Sequence, residues 1–161
     1  MSTDQARGGR SSVPPRRVYR ALWALHRAGY AISGGRLGLR SAAGDRLGTL
    51  RLRTTGRRSG RERATMLTYL ATGEGFAVVA SNAGADTPPA WWLNLQAEPR
   101  AQVELPGRSV SVEARAAAAD ERAQLWGRFV ERQGLYEQYA AKTEREIPIV
   151  ILEPSTRAAD A

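Results

Sequence analysis

The segment 54–63 (TTGRRSGRER) holds the densest set of chemically useful side chains in the chain. It places Arg57, Arg58, Arg61 and Arg63 around a turn pinned by Gly56 and Gly60, with hydroxyls at Thr55 and Ser59. Glycine lets backbone N–H groups approach a ligand closely. Arginine supplies forked donors that match phosphate or carboxylate oxygens. Two readings stand on these residues alone, an oxyanion cradle and a solvated basic hairpin turn. Neither a P-loop nor a Rossmann fingerprint is present, because G-x-x-x-x-G-K-[ST] and G-x-G-x-x-G are both missing. A second segment, 80–94 (ASNAGADTPPAWWLN), runs from a strand through small residues into a Pro-opened helix rich in Trp. Small residues leave room for a flat ring, and free N–H groups at a helix start suit an anionic edge. The plainer reading is a core helix packed by Trp91 and Trp92. In a third segment, 136–149, Tyr136 and Tyr139 lie three apart on one helical face. They can line a pocket mouth or simply pack.

Regular elements must position these segments. Alternation of Leu50 and Leu52 with Arg51 and Arg53 predicts a strand over 49–54. Further strands are expected over 62–71, 76–81, 100–105, 108–116 and 146–152, with turn signals at 73–75 and at Pro106-Gly107. Helices are expected over 89–97, after a cap at Asp120, and over 135–142. Six strands, mostly hairpin-linked, with one long crossover before the last, point to an α+β protein. Its centre is a mainly antiparallel closed or split β-barrel with flanking helices.

The 161 residues fit one ordinary domain with tails. Residues 1–13 read as a disordered basic tail, 14–30 as a basic amphipathic helix, 31–154 as the barrel domain and 155–161 as a tail. In that helix Val18, Ala21, Leu22, Leu25 and Ala28 oppose Arg16, Arg17, Arg20 and Arg27. Its stripe fits packing on the domain or membrane-surface contact through residues 16–29. The net charge is +8, and Lys142 is the only lysine among 24 cations. Residues 1–63 hold fifteen arginines against three acids, so that part should meet anions. The absence of cysteine excludes disulfides, thiolate catalysis and Cys-based metal sites. His26 is the one histidine and has no carboxylate three or four positions away, and no acidic cluster suggests a metal. Redox chemistry would need an organic cofactor. With no secretory signal and no span of ~20 apolar residues, the expected compartment is the cytoplasm. Membrane association would follow if the helix binds a bilayer.

Taken together, LRTTGRRSGRERATML, VVASNAGADTPPAWWLNLQAEP and YAAKTEREIPIVILEP resemble the deazaflavin-dependent nitroreductase family. Its members use the reduced deazaflavin coenzyme F-420 and include nitroreductases and quinone reductases. The resemblance covers about residues 50–154 and implies an FMN-binding split-barrel-like fold, which agrees with the strand count. It also implies that Arg57, Arg58, Ser59 and Arg63 grip the coenzyme's phosphate and oligoglutamate tail. The deazaflavin ring would then lie beside Ala64, Thr65, Met66, Leu67 and Thr68, with its edge at Val79, Ala80, Ser81 and Asn82. Ala90, Trp91, Trp92, Leu93 and Asn94 would complete the binding set. Ser81, Thr68, Tyr136 and Tyr139 would act on the acceptor side, a tyrosine serving as proton donor. The family often has Pro at the Met66 position and Lys at the Asn82 position, and some nitroreductases have Tyr in place of Thr68. The implied reaction is hydride transfer to a quinone, nitro or other conjugated acceptor, by a monomer or homodimer.

Two rival readings come from other classes. One is non-catalytic binding of a flavin or lipid-like ligand in the same fold. The other is nucleic-acid binding, suggested by the net charge. Against the latter, no helix-turn-helix or RRM pattern appears, and no exposed aromatics interleave with the basic residues.

Overall fold

The computed structural model describes residues 38–44 and 46–155. The chain divides into two units, Met1–Leu37 and Gly38–Ala161, and the architecture is that of the second. The tail expected over 1–13, the basic helix over 14–30, His26 and residues 156–161 lie outside the described residues.

Six strands form a closed antiparallel barrel. They are β1 (Gly48–Thr55), β2 (Glu62–Thr72), β3 (Gly75–Val79), β4 (Arg100–Leu105), β5 (Arg108–Ala116) and β6 (Ile149–Pro154). Their order around the barrel is β1-β2-β3-β6-β5-β4, and β4 returns to β1. Among the described residues three α-helices accompany them, α1 (Ala90–Ala97), α2 (Ala119–Arg132) and α3 (Leu135–Ala140), together with a short 3-10 turn at Asn82–Gly84.

Side chains alternate across each strand, and the barrel divides them into two cores. The interior core joins Leu50, Leu52, Tyr69, Phe76, Val78 and Leu152 to Trp91, Trp92 and Leu95 of α1, so α1 plugs the barrel. The outer core sets Leu70, Ala77, Val79, Ile149 and Ile151 against Leu125 and Phe129 of α2 and Tyr136 of α3. This is why β3 (GFAVV) is buried at every position and reads as an unbroken apolar run. By contrast β1 alternates, because its outward Arg51 and Arg53 meet water and charge. Arg51 and Arg53 donate to Glu104 at 3.1 and 3.0 Å, and Arg53 also pairs with Glu62. Two arginines of the basic first part are thereby neutralised on the barrel wall.

The sequence-based boundaries need three corrections. The third strand ends at Val79 rather than Ser81, because the chain leaves β2 there and follows β6, with Ala80 N–H donating to the Pro148 carbonyl (2.9 Å). The last strand begins at Ile149, not Glu146. Pro148 has no N–H for a ladder, although Ile147 is buried in the outer core. Helix α2 starts two residues earlier than a cap at Asp120 would give. Its N-cap is Ala118, whose N–H is satisfied by the Glu121 carboxylate (3.2 Å). Among the described residues, no helix is long and apolar enough to cross a membrane.

Candidate functional site

Strand β2 is the spine of the site. Its pairing with β1 runs from Glu62 to Tyr69, but its pairing with β3 covers only Tyr69 to Thr72. Among the described residues it therefore has a sheet partner on one side alone from Thr68 back to Glu62, and no strand pairs with the other edge there. Alternation sends Leu67 and Tyr69 to the interior core, while Leu70 joins the outer core. Thr68, Met66 and Ala64 therefore share the outward face. From Arg63 to Thr68 this strip is about 17 Å long at the usual strand rise.

At the strip's lower end stands the basic turn. Gly56 N–H donates to the Arg61 carbonyl (2.8 Å) and Gly60 N–H to the Gly56 carbonyl (2.7 Å). A Cβ on Gly56 would come within 2.9 Å of the Arg61 oxygen, so the turn requires glycine there. The buried Asn94 of α1 fixes the turn from below. Its Oδ1 accepts from Arg57 N–H (3.1 Å), and its amide donates to the buried Thr54 hydroxyl (3.2 Å). The side chains of Arg57, Arg58, Arg61 and Arg63 are exposed. Among the described residues no carboxylate or carbonyl pairs with their guanidinium groups, whereas Arg51, Arg53, Arg100 and Arg115 are all ion-paired. Four unpaired guanidinium groups on one fixed turn make a site for a polyanion.

The other edge of the site is the turn that follows β3. Asn82, Ala83 and Gly84 all have positive φ (46, 54 and 79°), a costly run for non-glycine residues. Arg145 holds this turn in place. Its guanidinium donates to the carbonyls of Ala80 (3.2 Å), Ser81 (2.8 Å) and Ala85 (2.8 Å). Thr143 adds a hydrogen bond to Asp86 (2.9 Å), and Asn82 closes the loop on the Thr87 carbonyl (2.9 Å). Gly84 is pressed so closely on α3 that a Cβ would lie 2.7 Å from the Tyr139 carbonyl oxygen. The Ser81 hydroxyl has no partner among the described residues and is half-buried.

The upper end of the strip reaches the tyrosines. Tyr136 is buried, with its phenol beside Thr68. Phe129 and Tyr139 meet its ring edge-on at 5.3 and 6.2 Å. Burial pushes the Tyr136 phenol from 10.0 up to about 12, with the Thr68 hydrogen bond pulling the other way. It can donate a proton but does not serve as a base near neutral pH. Below pH 10 the phenol is neutral both folded and unfolded. Above pH 10 the unfolded chain ionises first, so stability should fall between pH 10 and about 12. We expect that loss, roughly 2–3 kcal/mol, to vanish in Tyr136→Phe when urea midpoints are compared across this range. An equal alkaline loss in both proteins would contradict it.

The structure sorts the residues expected from the sequence. Arg57, Arg58, Ser59, Arg63, Ala64, Asn82 and Ala90 are exposed, while Thr65, Met66, Leu67, Thr68, Ser81, Leu93 and Tyr139 are half-buried. Thr65 and Leu67 face inward by the alternation of β2. Trp91, Trp92 and Asn94 are buried; the tryptophans pack in the interior core and Asn94 clamps the basic turn. Val79 and Ala80 point into the outer and interior cores, so only their backbone borders the site. Thr68 and Tyr136 lie side by side, but among the described residues no hydrogen bond links Ser81 to either tyrosine. Arg145 was missed by sequence reasoning. Its partners lie 60 to 65 positions away, and no local spacing marks it.

The Asn94 clamp has a testable consequence. Asn94→Ala leaves the Thr54 hydroxyl and the Arg57 N–H without their partner at the base of the turn. It should cost about 1–3 kcal/mol in urea denaturation. A loss under about 0.5 kcal/mol would show that the clamp contributes little.

With this geometry in hand, comparison with known proteins is informative. The F420H(2)-dependent quinone reductase family matches residues 23–154. An F420H(2)-dependent quinone reductase of Mycobacterium tuberculosis is 33% identical over 134 residues, 81% of this chain and 89% of that one. A solved F420-H2 dependent reductase superposes with a TM-score of 0.60 at 32% identity, covering 65% of this chain and 93% of that one. A second solved structure, a domain-swapped dimer, gives a TM-score of 0.62 at 28% identity and covers 83% and 99%. The chain belongs to the F420H(2)-dependent quinone reductase family.

Proposed function

We propose that this protein transfers a hydride from reduced coenzyme F-420 to a quinone. The observation that carries the reading is the fixed turn with four unpaired guanidinium groups, leading into the strip of β2 whose second edge no described strand pairs. A polyanionic tail matches the first feature and a flat ring the second, so the residues present fit this coenzyme. Arg57, Arg58, Ser59 and Arg63 would hold the tail. Ala64, Met66 and Thr68 would flank the ring, and Ser81 and Asn82 would border its edge. When bound, the reduced deazaflavin supplies a hydride from C5 and is left oxidised, while the quinone gains that hydride and one proton to become the hydroquinone.

The chain's own contribution is placement and electrostatics. The Ser81 hydroxyl is free to donate to a quinone oxygen as negative charge builds on it. The Tyr136 phenol is a proton source beside Thr68, and burial makes it a weaker acid than a free tyrosine. Arg145 keeps Ser81 at the edge of the site and brings a positive charge beneath it.

The direct test is anaerobic mixing of the protein and reduced F-420 with quinones and with nitro compounds, followed through the visible band of the oxidised coenzyme. Quinone-dependent oxidation is expected. Tight coenzyme binding without turnover of any quinone would favour the non-catalytic reading. In the same assay, Arg145→Ala should lower kcat by at least about tenfold and change coenzyme Kd by less than about threefold, with partial recovery in Arg145→Lys. A change in Kd alone would remove Arg145 from the positioning role.

A further inference from the structure

A separate hollow of about 350 Å³ opens at the upper end of the β2 strip, lined by Arg40, Arg46, Leu47, Thr68, Arg132 and Gln133. It shares Thr68 with the site but lies at the far end of the strip from the basic turn. Three arginines line it; two are oriented by the backbone, and one of these, Arg132, is also ion-paired with Glu131 at 3.5 Å. Arg40 donates to the Leu47 carbonyl (3.0 Å), and Arg132 donates to the Arg128 carbonyl (2.9 Å). The Arg46 side chain is exposed and has no hydrogen bond or ion pair among the described residues. Leu47 gives the hollow a buried apolar wall.

We propose that this hollow receives an anionic group of the electron acceptor, so that the preferred acceptor is a quinone bearing a carboxylate or a similar oxyanion. The inference rests on the reading of the β2 strip as the reaction site. With the coenzyme tail at the turn and the ring along Ala64, Met66 and Thr68, an acceptor stacked on that ring has its far edge toward and beyond Thr68. Any substituent extending beyond Thr68 then enters a space lined by arginines. A neutral alkyl chain there would meet cations it cannot satisfy, whereas a carboxylate meets forked donors. Arg40 and Arg46 supply the charge that selects for it, and Leu47 accommodates the ring edge.

The test compares 1,4-naphthoquinone-2-sulfonate with neutral 2-methyl-1,4-naphthoquinone under reduced F-420. The KM of the anionic quinone should be lower by at least about tenfold, as one charge-assisted contact allows. That ratio should collapse in Arg46→Glu and in about 1 M salt, where the screening length falls to about 3 Å. Equal KM values, or a preference that survives Arg46→Glu, would overturn the proposal. A rise in coenzyme Kd in Arg46→Glu as large as the rise in quinone KM would also overturn it, by assigning the hollow to the coenzyme. If neither quinone is reduced, the proposed reaction fails, and calorimetry on the coenzyme-free protein decides the hollow separately. Binding of 2-naphthoate but not 2-naphthamide, lost in Arg46→Glu, would support the anion site. Equal binding of the two would remove it.

Discussion

Replacing Arg57 and Arg58 together with alanine should raise the Kd of F-420 by at least about 100-fold and change kcat by less than about threefold. The size follows from the contacts available. Hydrogen bonds to charged groups contribute about 1.5–3 kcal/mol each, and every 1.4 kcal/mol is about tenfold in affinity. Both side chains are exposed, so screening places the expectation at the lower end of that range. The split between binding and turnover follows from position. The turn lies at the end of β2 opposite Thr68 and Tyr136, about 17 Å along the strand from Thr68. An interaction made equally in the ground and transition states changes affinity without changing turnover. Folding should be little affected, because the turn is held by the Gly56–Arg61 hydrogen bond and by Asn94 on the Arg57 backbone N–H. Titration of deazaflavin absorbance, with steady-state kinetics on the same protein, gives both quantities. A large drop in kcat at unchanged Kd would mean that the tail lies elsewhere.

How much of this was legible in the sequence depends on whether the decisive contact is local. The β1 alternation and the Pro106-Gly107 hairpin were legible, because each is set by neighbours one or two residues apart. The basic turn was also legible, since glycine spacing and arginine density belong to one short segment. The start of β6 was misread because Ile147 is as apolar as a strand residue, and only the missing N–H of Pro148 keeps it out of the ladder. The α2 cap was misread because Asp120 is a good cap by type, yet Glu121 reaches back to Ala118 N–H. Within the site, the sequence leaves two readings open for each of two aromatic pairs. Trp91 and Trp92 both enter the interior core, which requires knowing that α1 plugs the barrel. Tyr136 and Tyr139 share a helical face, but packing of α2 buries the first and leaves the second half-open. Arg145 illustrates the limit best. Its three carbonyl partners belong to the 80–85 segment, and only the tertiary fold brings them within reach.

Phe129→Ala should produce the largest loss of stability among single substitutions considered, about 3–5 kcal/mol. Phe129 is completely buried on the inner stripe of α2, where Leu125 is the other buried side chain. It belongs to the outer core, which closes the barrel face formed by Leu70, Ala77, Val79, Ile149 and Ile151. Truncation removes the transfer free energy of the ring and leaves a cavity that β3 and β6 cannot fill, because both are paired on each side. The ring also stacks edge-on with Tyr136 at 5.3 Å and 71°, and such pairs contribute about 0.5–1.5 kcal/mol beyond buried area. Its loss frees Tyr136 from one of the rings that aim its oxygen at Thr68, so turnover should fall as well as stability. Urea denaturation gives the first quantity, and kcat measured well below the unfolding midpoint gives the second. Trp126→Ala is the internal comparison, because Trp126 is only partly buried and its ring lies under Arg122 at 5.2 Å. It should cost clearly less than Phe129→Ala. Equal losses in the two variants would mean that α2 is held by its surface contacts and not by the outer core.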